Sequence, residues 1–190
     1  MTEEIINSII NTTTEIKNIS SLPNQQGIYA FFLAETGHLG EFGSFGQVIY
    51  VGLAEKSLNS RDIKSHLANG QTGWSSFRRS LSAILKVQLN LTAQKRDKTS
   101  TKLRPDKYKF DEDGEKRLTQ WMIKNLKMGF WTTNIPLTID QLRKEEENVI
   151  LKLKPTLDLD KRTKEFNYLA HNLDNLRKVC REEVKKLNKI

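Results

Sequence analysis

Three short apolar runs rich in β-branched and aromatic residues constrain the fold of this chain most strongly. They cover residues 27–33, 47–53 and 128–133, and each has the length and composition of a buried β-strand. The segment between the first two runs, 34–46, contains four glycines, which predicts a long hairpin connection. The three runs therefore predict a small, mainly antiparallel sheet of three strands.

Helices account for most of the remaining chain. Apolar residues recur at helical intervals in five segments: 3–18, 77–89, 115–126, 138–153 and 164–188. Helices that flank a small antiparallel sheet give an α/β fold of the α+β type.

The chain has 190 residues, which is enough for one domain. We expect that domain to span residues 1–160, with the helix 3–18 at its start and a basic loop at 90–113. Residues 161–190 are expected to add a C-terminal helix that packs on the domain.

The composition narrows the classes of function. Lysine and arginine exceed aspartate and glutamate by 31 − 23 = 8, which favours a polyanionic partner, and nucleic acid above all. The single cysteine excludes a disulfide framework and a cysteine-based zinc site. No apolar run is long enough to span a bilayer, and the N-terminus lacks the charge pattern of a signal peptide. We therefore expect a soluble cytoplasmic protein without a membrane partner.

Two groups of basic residues are candidates for nucleic-acid binding. Arg78 and Arg79 lie in the first turn of a helix that Ser75 or Ser76 is expected to cap, where positive charge opposes the helix dipole. Either a bound phosphate or a nearby carboxylate would offset that cost, and the sequence does not distinguish them. The second group, in the basic loop, comprises Lys95, Arg96, Lys98, Lys102 and Arg104. Nucleic-acid contact there would be salt-sensitive and independent of sequence, while the alternative is a solvated loop without a partner.

One carboxylate falls on the apolar stripe of a predicted helix. In the segment 138–153 the apolar residues follow one face in steps of three and four, and Glu146 occupies that face. Its neighbours Glu145 and Glu147 are placed where they can reach water. Since a buried carboxylate needs a partner, a structural salt bridge and a functional site are both open interpretations of Glu146.

Two tripeptides and two single residues together resemble a known family. Gly-Ile-Tyr at 27–29 and Tyr-Val-Gly at 50–52 are similar to the two motifs that name the GIY-YIG nucleases, and Arg61 and Glu146 follow in the family's order. An isoleucine four residues after the glutamate and a proline nine residues after it also match the family's glutamate helix. The resemblance covers about residues 22–160 and leaves the C-terminal helix outside it.

The resemblance implies a metal-dependent endonuclease that hydrolyses phosphodiester bonds. In the family a glutamate holds a single divalent cation, so Glu146 is the expected ligand of Mg²⁺ or Mn²⁺. The family arginine binds the scissile phosphate, and the resemblance assigns this role to Arg61. Tyr29 is expected to activate the attacking water, and Tyr50 to stack, orient that water or contact phosphate.

Two departures from the family pattern affect further residues. The polar residue that follows the family arginine corresponds to Ser65, whereas the histidine of this chain is His66, which is expected to carry a proton or contact phosphate. Asp158 stands where the family often has asparagine, three residues after the proline.

Double-stranded DNA is the expected substrate. Cleavage of RNA is one alternative, and a nucleic-acid-binding module that keeps the fold without cutting is another. The sequence does not determine the oligomeric state.

Overall fold

A computed structural model describes residues 1–59, 66–97 and 102–188 of the chain. The predicted site residues Arg61 and Lys98 lie outside these ranges. The chain divides into two compact units. Unit 1 contains Met1–Lys64 and Met122–Ala170, and unit 2 contains Ser65–Trp121 and His171–Ile190. This division does not coincide with the domain boundary expected near residue 160.

The described helices and strands have the following bounds. The helices are α1 (Thr2–Asn11), α2 (Ser76–Ile84), α3 (Glu112–Asn125), α4 (Ile139–Leu153) and α5 (Ala170–Leu187). The strands are β1 (Thr14–Glu15), β2 (Gly27–Leu33), β3 (Val48–Ala54) and β4 (Leu126–Thr132). Within the part of the chain that the structure describes, no helix combines the length and apolar character needed to cross a membrane.

The sheet of unit 1 is antiparallel throughout and has the strand order β1-β4-β2-β3. This arrangement confirms the α+β fold, with a fourth strand in addition to the three predicted. The extra strand, β1, has only two residues, which is too short to give an alternating pattern in the sequence. Helices α1 and α4 pack on one face of the sheet, where the core includes Ile5, Ile9, Ile28, Ala30, Val51, Leu142 and Val149.

The prediction of a continuous helix over 3–18 is wrong, because α1 ends at Asn11. The hydroxyl of Thr12 bonds back to the carbonyl of Ser8 at 2.8 Å and accepts from the N–H of Phe130 on β4, also at 2.8 Å. A threonine side chain that bonds to backbone groups competes with the helix. The chain therefore leaves α1 at Thr12 and pairs with β4 through β1.

The core of unit 2 includes residues from the segment 90–113 that was predicted to be a basic loop. Leu91, Ala93, Tyr108 and Phe110 are buried there together with Cys180 and Val184 of α5. A bridge between Gln94 and Lys109 joins the two ends of the segment. The segment is therefore anchored at both ends, because its few apolar residues lie there and enter the core.

Candidate active site

The two tripeptides form one structural unit across neighbouring strands. Tyr29 on β2 and Gly52 on β3 are direct partners in the antiparallel register. A Cβ atom at position 52 would overlap the ring and hydroxyl of Tyr29, so glycine is needed there to leave room for the phenol. Tyr29 is 2% exposed, and its ring meets Phe31 edge-on with 5.6 Å between centroids. The glycine of the second motif thus helps to fix the tyrosine of the first.

Regular antiparallel pairing puts Tyr50 on the same face of the sheet as Tyr29, and a β-bulge lies next to Tyr50. Tyr50 pairs with Phe31 while Val48 pairs with Phe32, so Ile49 is an extra residue on β3. Because of the bulge, Val48 packs against the core between the sheet and helices α1 and α4. Tyr50, two residues later, lies on the opposite face of the sheet. The rings of Tyr50 and Tyr29 lie 6.3 Å apart between centroids, and Tyr50 is only half-buried. The structure therefore brings together the two phenols that the sequence singled out.

Helix α4 carries Glu146 on its buried side, as the apolar stripe predicts. A capping box is present at the start of this helix, between Thr138 and Gln141. Arg162 Nη2 donates to Glu146 Oε2 at 2.8 Å, and Nε of the same guanidinium donates to Asp160 at 2.8 Å. The structural salt bridge, one of the two interpretations of Glu146 that the sequence allows, is therefore present. Its arginine lies in the irregular segment after α4, where no periodic pattern marks it.

The charge of Glu146 is incompletely compensated. Burial raises the pKa of Glu146, and the hydrogen bond and charge of Arg162 oppose that rise without cancelling it. The hydrogen bond from Arg162 lowers the pKa of Asp160, and Asp160 is also the main cause of the raised pKa of Arg162. Because the guanidinium is shared between two carboxylates, additional positive charge near Glu146 would stabilise its charged form.

The segment that follows α4 runs along the edge strand β3. The Leu157 N–H donates to the Ile49 carbonyl at 2.8 Å, and the Val51 N–H donates to Asp158 Oδ2 at 2.9 Å. Burial raises the pKa of Asp158 well above its usual range, and the charge of Glu146 raises it further. Asp158 thus ties the glutamate-bearing helix to the strand of Tyr50, and it does so as an acceptor at the family's asparagine position.

We expect Asp158→Asn to make the protein more stable at neutral pH. In the folded chain Asp158 keeps its proton at pH values where the unfolded chain, with a pKa of about 3.9, has lost it, so the folded state binds more protons and stability falls as the pH rises above about 4. Asparagine keeps an acceptor for Val51 and cannot ionise. Each kcal/mol removed from this penalty should raise the Tm by about 2–4 °C at this chain length.

Thermal unfolding followed by circular dichroism between pH 4 and pH 8 measures this effect. The Tm advantage of Asp158→Asn over wild type should grow with pH and vanish near pH 4. Parallel Tm curves across the whole pH range would contradict a neutral Asp158 in the folded chain.

Three of the predicted site residues, His66, Arg78 and Arg79, are buried in unit 2. The His66 ring shares a hydrogen bond of 2.6 Å with the Ser75 hydroxyl and meets Phe77 edge-on. The guanidinium of Arg78 donates to Glu115 at 2.7 Å and to the His66 carbonyl at 2.9 Å, and Arg78 has no exposed surface. Ser75 caps α2 as predicted, and a carboxylate rather than a phosphate offsets the positive first turn. A catalytic role for His66 stays a prediction, and Arg78 has no surface to offer nucleic acid.

Arg79 and the basic loop differ in their access to solvent. Arg79 is buried and donates to the carbonyls of Thr72 and Gly73, so its guanidinium stabilises the turn before α2. Four other predicted residues, by contrast, line an open cavity of about 290 Å³. These are Lys95, Arg96, Lys102 and Arg104. Their contact with nucleic acid stays a prediction.

The carboxylates of unit 1 are compatible with a divalent cation that keeps most of its water. Within the described ranges there is no cluster of three or more histidine, cysteine, aspartate or glutamate side chains that could enclose a metal ion. Mg²⁺ and Mn²⁺ prefer hard oxygen donors, and Mg²⁺ commonly binds through one or two carboxylates. Glu146 supplies such a donor with its charge only partly neutralised, so the residues present fit the metal that the resemblance implies.

Unit 1 therefore combines a small antiparallel sheet, two neighbouring tyrosines on adjacent strands, and a buried glutamate on a helix packed against that sheet. The chain matches the GIY-YIG catalytic domain family over residues 27–179, and it belongs to that family. The match extends into α5, so the expectation that the C-terminal helix lies outside the resemblance is wrong. No curated protein and no solved structure gives a significant match.

Membership in this family supports a nuclease-type function and a nucleic-acid substrate. Nucleases of the family generally depend on a divalent metal ion.

Proposed function

We propose that the protein is a metal-dependent endonuclease that hydrolyses phosphodiester bonds in DNA. The observation that carries this proposal is the proximity of the Tyr29 and Tyr50 rings on β2 and β3 of unit 1, the unit that also holds Glu146. Asp158 supports it further, because its bond to Val51 joins the chain beyond α4 to the strand of Tyr50. The family match adds the class of reaction.

Glu146 is the proposed ligand of the metal ion. A divalent cation bound there would neutralise charge at the phosphate and lower the pKa of a coordinated water. Because Glu146 is already bonded to Arg162, the cation must compete with that guanidinium for the carboxylate. Arg162 keeps its bonds to Asp160 when Glu146 is taken, so the exchange leaves no unpaired guanidinium.

The two tyrosines have different access to the reaction. Tyr29 is held against Gly52 and is almost fully buried, whereas Tyr50 is half-buried. A phenol has a pKa near 10, so a tyrosine that takes a proton from water needs nearby positive charge. Arg61 is proposed to supply such charge and to bind the scissile phosphate through its planar fork. His66 is proposed as an additional proton carrier.

We expect Tyr29→Phe and Tyr50→Phe to show which tyrosine accepts a proton from the attacking water and which tyrosine orients that water. Loss of a general base lowers the rate by about 10²- to 10⁴-fold and removes the rise of the rate with pH. Loss of an orienting group lowers the rate and leaves the pH dependence in place. Single-turnover cleavage between pH 6 and pH 9 measures both quantities, and a pH profile unchanged in both variants would exclude a tyrosine as the base.

Incubation of the purified protein with supercoiled plasmid and Mg²⁺ tests the proposed function. We expect nicked circles in Mg²⁺ or Mn²⁺ and intact supercoils in EDTA. A labelled RNA of the same sequence in a parallel reaction tests the substrate class. Faster cleavage of RNA than of DNA would mean that RNA is the substrate. Binding of DNA without any cleavage in either metal would favour the non-catalytic module.

A further inference from the structure

Unit 2 contains a strongly cationic cavity, which we call the cationic pocket. Its described lining residues are Lys95, Arg96, Asp97, Lys102, Arg104 and Lys107. Five cations and one aspartate give a formal charge of 5 − 1 = +4 around a volume of about 290 Å³. A cavity of this charge and size fits one or two phosphate groups rather than an apolar ligand.

Further positive charge acts on Lys107, one of the residues that line the cationic pocket. Burial lowers the pKa of Lys107, and the charges of Arg79, Arg96 and Arg177 lower it further against the opposing effect of Asp106. Arg79 is buried and hydrogen-bonded to the turn before α2, so its charge stays close to Lys107. A bound polyanion such as a phosphate would relieve this mutual repulsion.

Trp74 is 70% exposed and contacts Arg96, one of the residues that line the cationic pocket. The guanidinium of Arg96, which also lines the pocket, lies over the indole at 3.8 Å from the ring centroid. Arg96 Nη1 additionally donates to the Gly73 carbonyl at 3.3 Å. One face of the indole is therefore covered by Arg96, and the exposure of Trp74 leaves the other face accessible.

Gly73 is part of this arrangement. A Cβ atom at position 73 would lie 2.5 Å from Cγ and Cδ of Arg96, so a larger residue would push that side chain away from the indole. The turn therefore holds an aromatic platform and a phosphate-sized cationic pocket side by side, joined by one arginine.

We propose that unit 2 binds unpaired nucleotides of a nucleic-acid strand, with a backbone phosphate in the cationic pocket and a base stacked on Trp74. Stacking on an aromatic side chain beside a basic groove is how proteins bind single strands without sequence preference. A base paired within a duplex does not offer its face to Trp74. The preferred substrate is therefore DNA with a single-stranded portion, a conclusion that rests on the proposed nuclease function, whereas the binding of single strands does not.

Binding of the full-length protein to labelled oligonucleotides in EDTA, where no cleavage occurs, tests this proposal. We expect a 20-nucleotide single strand to bind more tightly than the duplex of the same sequence. Trp74→Ala should lower the affinity for the single strand by about tenfold or more. Trp74→Phe keeps an aromatic face and should retain most of the affinity. Lys107→Ala should lower both the affinity and the salt dependence, whereas Lys116→Ala, an exposed lysine of the same unit, should change neither.

Intrinsic fluorescence gives a second readout of the same site. Trp121 and Trp131 are buried, so quenching of the exposed Trp74 should dominate the change when a single strand binds. Quenching that persists in Trp74→Ala, or single-strand affinity unchanged in that variant, would overturn the proposal. RNA and DNA strands of one sequence identify the sugar that the site accepts. Trp74-dependent binding by a protein that cuts nothing in Mg²⁺ would uphold this site and refute the nuclease.

Discussion

Glu146→Gln is expected to lower the rate of Mg²⁺-dependent plasmid nicking by at least about 1,000-fold, which corresponds to roughly 4 kcal/mol of transition-state stabilisation. Glutamine has the size of glutamate and can still accept the hydrogen bond from Arg162. It lacks the negative charge that makes a carboxylate a ligand of a hard divalent cation. Activity should therefore disappear while the fold persists.

Glu147→Gln is the matched control for this prediction. Glu147 is the next residue on α4, is half-buried, and lies 3.6 Å from Lys144 as a local ion pair. The nicking rate of Glu147→Gln should stay within about twofold of the wild-type rate. Glu146→Gln and Glu147→Gln should both keep the wild-type circular dichroism spectrum. Equal losses of rate in the two variants would mean that α4 contributes only stability.

Arg78→Met is expected to destabilise unit 2 by about 3–5 kcal/mol. Arg78 is fully buried, and its partner Glu115 would keep an uncompensated charge in the core after the substitution. Thr72 and the His66 carbonyl would lose a donor as well. Urea unfolding followed by circular dichroism measures the loss, provided that the slope of the transition is the same as in wild type.

Two comparisons separate burial from charge in this second prediction. Lys116→Ala breaks the exposed pair with Glu112 on α3 and should leave the midpoint of the urea transition nearly unchanged, because water screens exposed ion pairs. The double variant Arg78→Met, Glu115→Leu removes both charges and should recover part of the stability that Arg78→Met loses. Similar effects of Arg78→Met and Lys116→Ala would contradict the buried network.

Local patterns predicted the elements that position the site. The run 27–33 is β2 with the bounds that its composition indicates, and β3 and β4 begin and end within two residues of their predictions. The stripe that singled out Glu146 also held, because helical periodicity decides which side of α4 faces the core. These features depend on residues close together in the chain, so the sequence contains the whole pattern.

Contacts between residues that are distant in the chain could not be predicted, because local patterns do not contain them. Nothing near Glu146 in the sequence marks Arg162 as its partner, and nothing near Arg78 marks Glu115. The bulge at Ile49 depends on the pairing of β3 with β2, and the end of α1 depends on a bond between Thr12 and β4. Each of these requires the tertiary fold, which periodicity within one segment does not encode.

Binding of Mn²⁺ to the full-length protein tests most directly the claim that Glu146 is the metal ligand of a nuclease site. Free Mn²⁺ can be followed by electron paramagnetic resonance, with an oligonucleotide that carries non-cleavable phosphorothioate linkages present at saturation. We expect one Mn²⁺ per chain for wild type and for Glu147→Gln, and an affinity at least about tenfold lower for Glu146→Gln. Equal Mn²⁺ affinity in wild type and Glu146→Gln would contradict the account.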